Sequence, residues 1–464
     1  MRVKKAKPQR QRRSPTLLER INPNAAGLDC GSAEHYVAVP KDRDPSPVRS
    51  FKTFTADLHR LADWLVACGI KTVAMEATGV YWIPVFEILE ARGFEVLLVN
   101  ARHVKNVPGR KSDVSDAEWL QELHSVGLLR GSFRPAADIT ALRCYLRHRE
   151  TLIQSAGTCV QRMQKALVQM NLQLHLVISD ISGVTGLRIL RDIVAGVIDP
   201  ALLARHRDFR CRASEDEIRA ALTGHYRPEH LFGLKQNLEL HDVYQGQLAA
   251  CDRAIEAHLS ALKMRCAPPE NPLPTPRTRG NPRDNEPRFE VRALLHHLSG
   301  ADLTQIDGIR PYSALRILAE IGTDMSRWPS EHHFTSWLTL APKNKISGGR
   351  LLSSRTQPSA NRAALALRLA AQSLGRTQTA LGAFFRRLAF RIGKAKAITA
   401  TARKLAILVY RTLKGDIAYI DQGAAAYDQQ RRDATIRRLR HRAQTLGFEL
   451  VNRESGELLE GGVS

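Results

Sequence analysis

The chain lacks most of the marks of a secreted, membrane or nucleotide-driven protein. Its seven cysteines (Cys30, Cys68, Cys144, Cys159, Cys211, Cys251 and Cys266) stand singly, with no Cys-x-x-Cys. That pattern fits reduced thiols in a cytosolic protein and argues against a disulfide framework or a zinc finger. No apolar run approaches the roughly 18 residues that would span a bilayer, so no membrane partner is expected. The basic start through Arg13 has no apolar segment behind it and does not read as a secretory signal. No Gly-x-x-x-x-Gly-Lys-Ser/Thr loop occurs, which argues against an ATP-driven motor.

Acidic residues are also scarce. Lysine and arginine total 69 against 46 aspartates and glutamates, a formal charge of +23. An excess of that size is the footprint of a polyanion partner and is foreign to an ordinary metabolic enzyme. Apolar residues make up 43% of the 464 positions, enough for real cores, and the length suggests about three domains.

The pattern along the chain divides it. A basic arm covers residues 1–23. From Ala25 to residue 131, short apolar runs alternate with helical spacing: strands at Ala25–Gly31, Tyr36–Pro40, Thr72–Met75 and Glu95–Asn100, and helices at Leu58–Cys68, Tyr81–Arg92 and Asp113–Leu128. Such alternation predicts an α/β sheet domain. Over 132–264, two sets of apolar residues at 3-4 spacing, Leu142 to Leu174 and Leu234 to Leu262, predict long amphipathic helices with a coiled-coil-like seam. Arg149 alone interrupts the first set. The spacing does not say whether they pair with each other or across a dimer. Leu176–Glu229 is a shorter helical insert, and 265–288, crowded with proline, reads as a linker. Residues 289–415 are helix-rich, and the 416–464 tail gathers Arg431, Arg432, Arg437, Arg438, Arg440 and Arg442 into one basic helix.

Ile181-Ser-Gly-Val and Ile306-Asp-Gly-Ile echo each other. Such a turn opening a helix can offer backbone N–H groups to a phosphate, or can simply join two helices.

Four acids stand out. Asp29 and Glu76 end two predicted strands, while Asp113 and Asp116 lie three apart at a helix start and so share a face. Carboxylates delivered this way can hold magnesium, a hard cation that takes oxygen ligands and polarises a phosphodiester. A cap or surface charge is the plainer reading of any one of them, Asp113 above all.

The local sequences Gly27-Leu-Asp29-Cys-Gly, Met75-Glu76-Ala-Thr-Gly79-Val-Tyr81-Trp-Ile-Pro, Val99-Asn-Ala-Arg-His-Val-Lys and Lys111-Ser-Asp113-Val-Ser-Asp116 resemble, in order, the DEDD transposases of the insertion-sequence "one-ten" family, relatives of the Piv and MooV DNA invertases. A second stretch of resemblance, from about Leu303 to Lys414, includes Phe334-Thr-Ser-Trp-Leu-Thr-Leu-Ala-Pro342 and Ile346-Ser-Gly-Gly-Arg350. The resemblance implies a RuvC-like, RNase H-type N-terminal domain. It implies a Mg2+-binding tetrad of Asp29, Glu76, Asp113 and Asp116, and a mostly α C-terminal transposase domain with a serine nucleophile at Ser347. It further implies a recombinase acting on element ends and target DNA through a covalent phosphoserine, guided by a structured RNA. The acids would come from a different subunit of a homodimer or homotetramer, in a cytoplasmic, nucleoid-associated protein.

The residues around Ser347 suit that chemistry. Gly348 and Gly349 allow close backbone approach to a phosphate, and Lys343, Lys345, Arg350 and Arg355, with Lys111 in the first domain, supply positive charge. A serine hydroxyl needs a base, a metal or cations before it can attack. As bare sequence, Ser-Gly-Gly is a turn, with Ser353 and Ser354 as rivals. Two other readings stand: a metal-only junction nuclease, and a non-catalytic basic scaffold. A tyrosine recombinase is discarded, because none of the sixteen histidines has arginine three positions on.

Overall fold

A run of small and apolar residues, Ala25–Cys30, forms β1 at the centre of a five-stranded sheet in the order β3-β2-β1-β4-β5. Strand β2 (Glu34–Ala38) and β3 (Val48–Lys52) run antiparallel on one side. After helix α1 (Thr55–Ala67) come β4 (Thr72–Glu76), helix α2 (Trp82–Ala91) and β5 (Glu95–Val99), with β1, β4 and β5 parallel. Helix α3 (Asp116–Ser125) closes this unit. The computed structural model describes residues 20–77, 79–100, 116–267, 271–278 and 285–451, so Lys111, Asp113, most of the basic arm and the last thirteen residues lie outside the described residues. The chain separates into two units after Arg134.

Strand β3 is absent from the sequence reading. Its Val-Arg-Ser-Phe-Lys is an edge strand with no buried residue, so the apolar run that betrays an inner strand is missing. One face of the sheet buries Leu28, Cys30 and Met75 under Leu58, Leu61 and Leu65 of α1. Gly27 explains how the other face is covered. A Cβ there would fall 2.2 Å from the Ala117 carbonyl oxygen and 2.3 Å from the Gln121 amide, so only glycine lets α3 lie directly on β1.

The second unit begins with helix α4 (Ala137–Gln169). Four short helices follow: α5 (Leu174–Val177), α6 (Val184–Val194), α7 (Pro200–Ala204) and α8 (Glu215–Ala221). They bury Ile189, Leu190, Leu203 and Ile218 with Met163 and Met170, so the insert has its own core. Helix α9 (Pro228–Ala261) returns antiparallel along α4, with His258 level with Asp138 and Cys251 level with Tyr145. The two long helices therefore pair with each other within the chain. Arg149, the interruption in the first seam, is buried and donates to Asp252 Oδ1 at 2.5 Å and to the Asn285 carbonyl at 2.8 Å.

The described part of the proline-rich stretch is tied down. Arg277 N–H donates to the Thr304 carbonyl, the Arg277 guanidinium meets Asp307 at 3.0 Å and Asp421 at 3.2 Å, and Thr278 Oγ1 accepts from Gly308 N–H. Arg277 and Thr278, within the segment read as a linker, are held by polar bonds, which hydrophobic patterning cannot forecast. In the second glycine turn, Gly308, at φ +86°, packs on the Ala370 carbonyl and its own amide is taken by Thr278 Oγ1.

Helices α10 (Val291–Ser299), α11 (Pro311–Ile321) and α12 (Glu331–Trp337) precede a hairpin of β6 (Lys345–Ser347) and β7 (Arg350–Ser353). Then follow α13 (Arg362–Ser373), α14 (Ala380–Ile392), α15 (Lys394–Lys414) and α16 (Gly423–Thr445). Tyr419 donates to Asp307 Oδ2 at 2.8 Å, and Asp421 accepts from Ala380 N–H at 2.9 Å, anchoring the start of the tail. No described helix is long and apolar enough to cross a membrane.

Candidate active site: strand-end acids and a serine hairpin

The parallel register of β1 and β4 pairs Ala25 with Thr72 and Leu28 with Met75. The next residue on each strand is a candidate acid, Asp29 on one and Glu76 on the other, both half-buried. Side chains alternate across a sheet, so Asp29 shares the face of Gly27, the face that α3 covers. Asp116 opens α3 immediately before Ala117, whose carbonyl touches Gly27. Three of the four acids thus belong to three adjoining elements at one end of the sheet. Asp116 and Glu118 lie in the first turn of α3, where the helix dipole favours negative charge.

The thiol of Cys30 registers the field of these acids. It is pushed up to about 12, first by burial and then by the nearby charges of Asp29 and Glu76. His124, at the far end of α3, is buried and lies 2.9 Å from Thr72 Oγ1 at the start of β4, pinning the helix across the sheet. Burial holds its imidazole below the ordinary value. Among the described residues no group of three or more His, Cys, Asp or Glu side chains is assembled as a metal cage. The donor set of Asp29, Glu76 and Asp116 is nonetheless all hard oxygen, the chemistry a divalent cation requires.

Ser347 ends β6, exposed, and pairs across the hairpin with Arg350. The two residues between are Gly348 and Gly349, at φ +53° and +75°. A two-residue loop with both central φ values positive is the tight turn that matches strand twist, and it demands glycine or asparagine. No atom would meet a Cβ at either glycine, so the backbone conformation alone requires them. Cross-strand partners share a face with Cβ atoms about 5 Å apart, so the Arg350 side chain leaves the hairpin on the same face as the serine. Ile346 and Leu351 pair on the opposite face, 65% and 58% exposed. A register shift at Lys345 brings it opposite Ser353, and Lys343 N–H closes the hairpin base on the Arg355 carbonyl at 3.1 Å.

Beneath that base runs a groove of about 950 Å³ between the hairpin and α15, lined by Arg355, Phe384, Lys396, Arg403 and Lys404. Nε of Arg403 has no hydrogen-bond partner among the described residues. None of these three α15 cations stands out in the sequence. Their only signal was the 7–8 residue spacing from Lys396, which repeats about every two helical turns.

A family model described as a transposase matches residues 26–172, spanning the sheet, α3 and α4. A second, described as "Transposase IS116/IS110/IS902 family", matches residues 300–386, including the serine hairpin. With the mixed five-stranded sheet and its strand-end acids, these define the class: a DNA transposase with an RNase H-like N-terminal domain. The chain belongs to the IS110 family of DEDD transposases. The DEDD domain implies dependence on a divalent metal. No curated protein matches the chain.

Proposed function

We propose that this transposase cuts and rejoins DNA with Ser347 as nucleophile and with Asp29, Glu76, Asp113 and Asp116 as the ligands of Mg2+. The observation that supports the reading is the parallel register of β1 and β4, which ends in Asp29 on one strand and Glu76 on the next, with the helix that begins at Asp116 packed on Gly27. When bound, the divalent cation would polarise the scissile phosphodiester and stabilise charge on its oxygens. Asp29 and Glu76 sit on hydrogen-bonded neighbouring strands, and Asp116 heads a helix packed directly against Gly27.

The serine half works by attack of Oγ on phosphorus. The new bond is Oγ–P, the broken bond is P–O to the departing strand, and the proton lost from Oγ is balanced by one taken from solvent by the departing oxygen. Arg350 supports that step by facing the serine, where a guanidinium can meet phosphate oxygens bidentately. Lys343, Lys345 and Arg355 gather the strand around it by charge. Rejoining reverses the exchange, a free 3′ or 5′ hydroxyl displacing the serine. The guide RNA and an assembly of two or four subunits that brings acids of one copy to the serine of another belong to this same reading. Its motivation is the sequence resemblance.

The test is a denaturing gel of protein, labelled element-end DNA and magnesium. A covalent protein–DNA band that Ser347→Ala abolishes is the expected result. A band that persists in Ser347→Ala overturns the serine assignment, and cleavage with no band at all favours the metal-only nuclease.

A further inference from the structure

Helix α16 has no buried residue over its 23 positions and lies beyond both family matches. Its start is built into the fold. Asp421, bonded to Arg277, accepts from Ala380 N–H, and Tyr427 Oη accepts from Arg387 at 3.0 Å while stacking edge-on against Phe384. Ala424 lies level with Gln378 and Tyr427 with Arg387, so α16 runs parallel to α14. Past that point α14 has five residues left, about 8 Å, whereas α16 has eighteen, about 27 Å. The arginine-bearing end of α16 therefore overhangs its support.

Between Asp433 and Glu449 there is no acid, and four arginines fall in six positions. At about 100° per residue, Arg438 and Arg442 share one side of the helix, and Arg437 and Arg440 the other. Like charges four apart, such as Arg438 and Arg442, destabilise a helix. Among the described residues none of the four is ion-paired, and Nε of Arg440 is enclosed without a hydrogen-bond partner. An α-helix fits the major groove of duplex DNA, with a phosphate strand along each flank. Cations on two opposite sides of one projecting helix match that arrangement and no single-faced partner.

We propose that residues 436–445 of α16 lie in the major groove of double-stranded DNA. Arg437, Arg438, Arg440 and Arg442 grip the two phosphate strands without reading sequence. This grip is independent of the serine chemistry. Full-length protein is titrated into a fluorescent duplex of arbitrary sequence at several salt concentrations. Each neutralised phosphate contributes a slope of about 0.9 in log K against log salt. The R437Q/R438Q/R440Q/R442Q variant is expected to lose about 2–4 units of slope and at least tenfold in affinity. The corresponding four-lysine variant should restore the slope. A glutamine variant whose curves superpose on wild type overturns the proposal. So does a lysine variant that stays weak, a loss seen only with an RNA hairpin of equal length, or a change in oligomeric mass without loss of duplex binding.

Discussion

The carbonyl oxygen of Ala117 lies where a side chain on Gly27 would have to go, 2.2 Å from the position of its Cβ. Helix α3, with Asp116 at its head, is seated on the strand that carries Asp29 only because residue 27 is bare. Gly27→Ala should push the helix off the sheet, costing about 1–3 kcal/mol by overpacking and cutting strand transfer far more than that loss explains. Thermal unfolding and a recombination assay on the same preparation would show it. An alanine variant with wild-type stability and turnover would mean α3 can shift without consequence.

Asp29→Asn and Glu76→Gln keep shape and remove charge. Each should lower DNA cleavage by at least about 100-fold while leaving duplex affinity near wild type, because these acids oppose rather than attract phosphate. Retained cleavage in either would point to the non-catalytic reading.

Ser353 sits across from Lys345 in the hairpin and Ser354 lines the groove beneath it. Neither has a cross-strand arginine at a glycine turn. Ser353→Ala and Ser354→Ala should therefore form the covalent DNA adduct at near wild-type yield, a comparison made on one gel with Ser347→Ala.

Much of this could be read in the sequence, and the gaps have physical causes. Strands β1, β4 and β5 and the two long helices advertise themselves through buried apolar residues. Edge strand β3 does not, because nothing in it is buried. Local motifs single out Asp29, Glu76 and Ser347 as candidates, whereas the seat of α3 on Gly27 depends on two segments some ninety residues apart. Arg149 looked like a flaw in an apolar seam. Its partner, Asp252, lies on the returning helix, and pattern within one helix says nothing of the other.

That pair yields a stability prediction. Asp252→Ala strands a buried guanidinium and should cost about 3–5 kcal/mol, while Arg149→Met combined with Asp252→Leu should recover most of the loss. Denaturant titration of the three variants distinguishes this from a surface ion pair, for which all would sit within about 1 kcal/mol of wild type.

His124 couples the first unit to pH. Its buried imidazole favours the neutral form, so its folded pKa lies below the ordinary 6.5. The stabilisation is complete above pH 6.5 and is lost as pH falls below it toward the depressed folded value, because the unfolded chain takes up the proton first. Denaturant midpoints measured downward from pH 7 should drop more steeply for the wild type than for His124→Gln. Parallel curves would remove His124 from the account.

The hairpin that carries Ser347 fixes a length as well as a composition. With two left-handed residues at its tip, inserting or deleting one residue there would re-pair the strands one step out of phase. The hydroxyl would then turn to the side now held by Ile346 and Leu351, away from Arg350. Substitutions along this arm change how strongly it grips; a change in the spacing of its tip would disarm it with every residue still present.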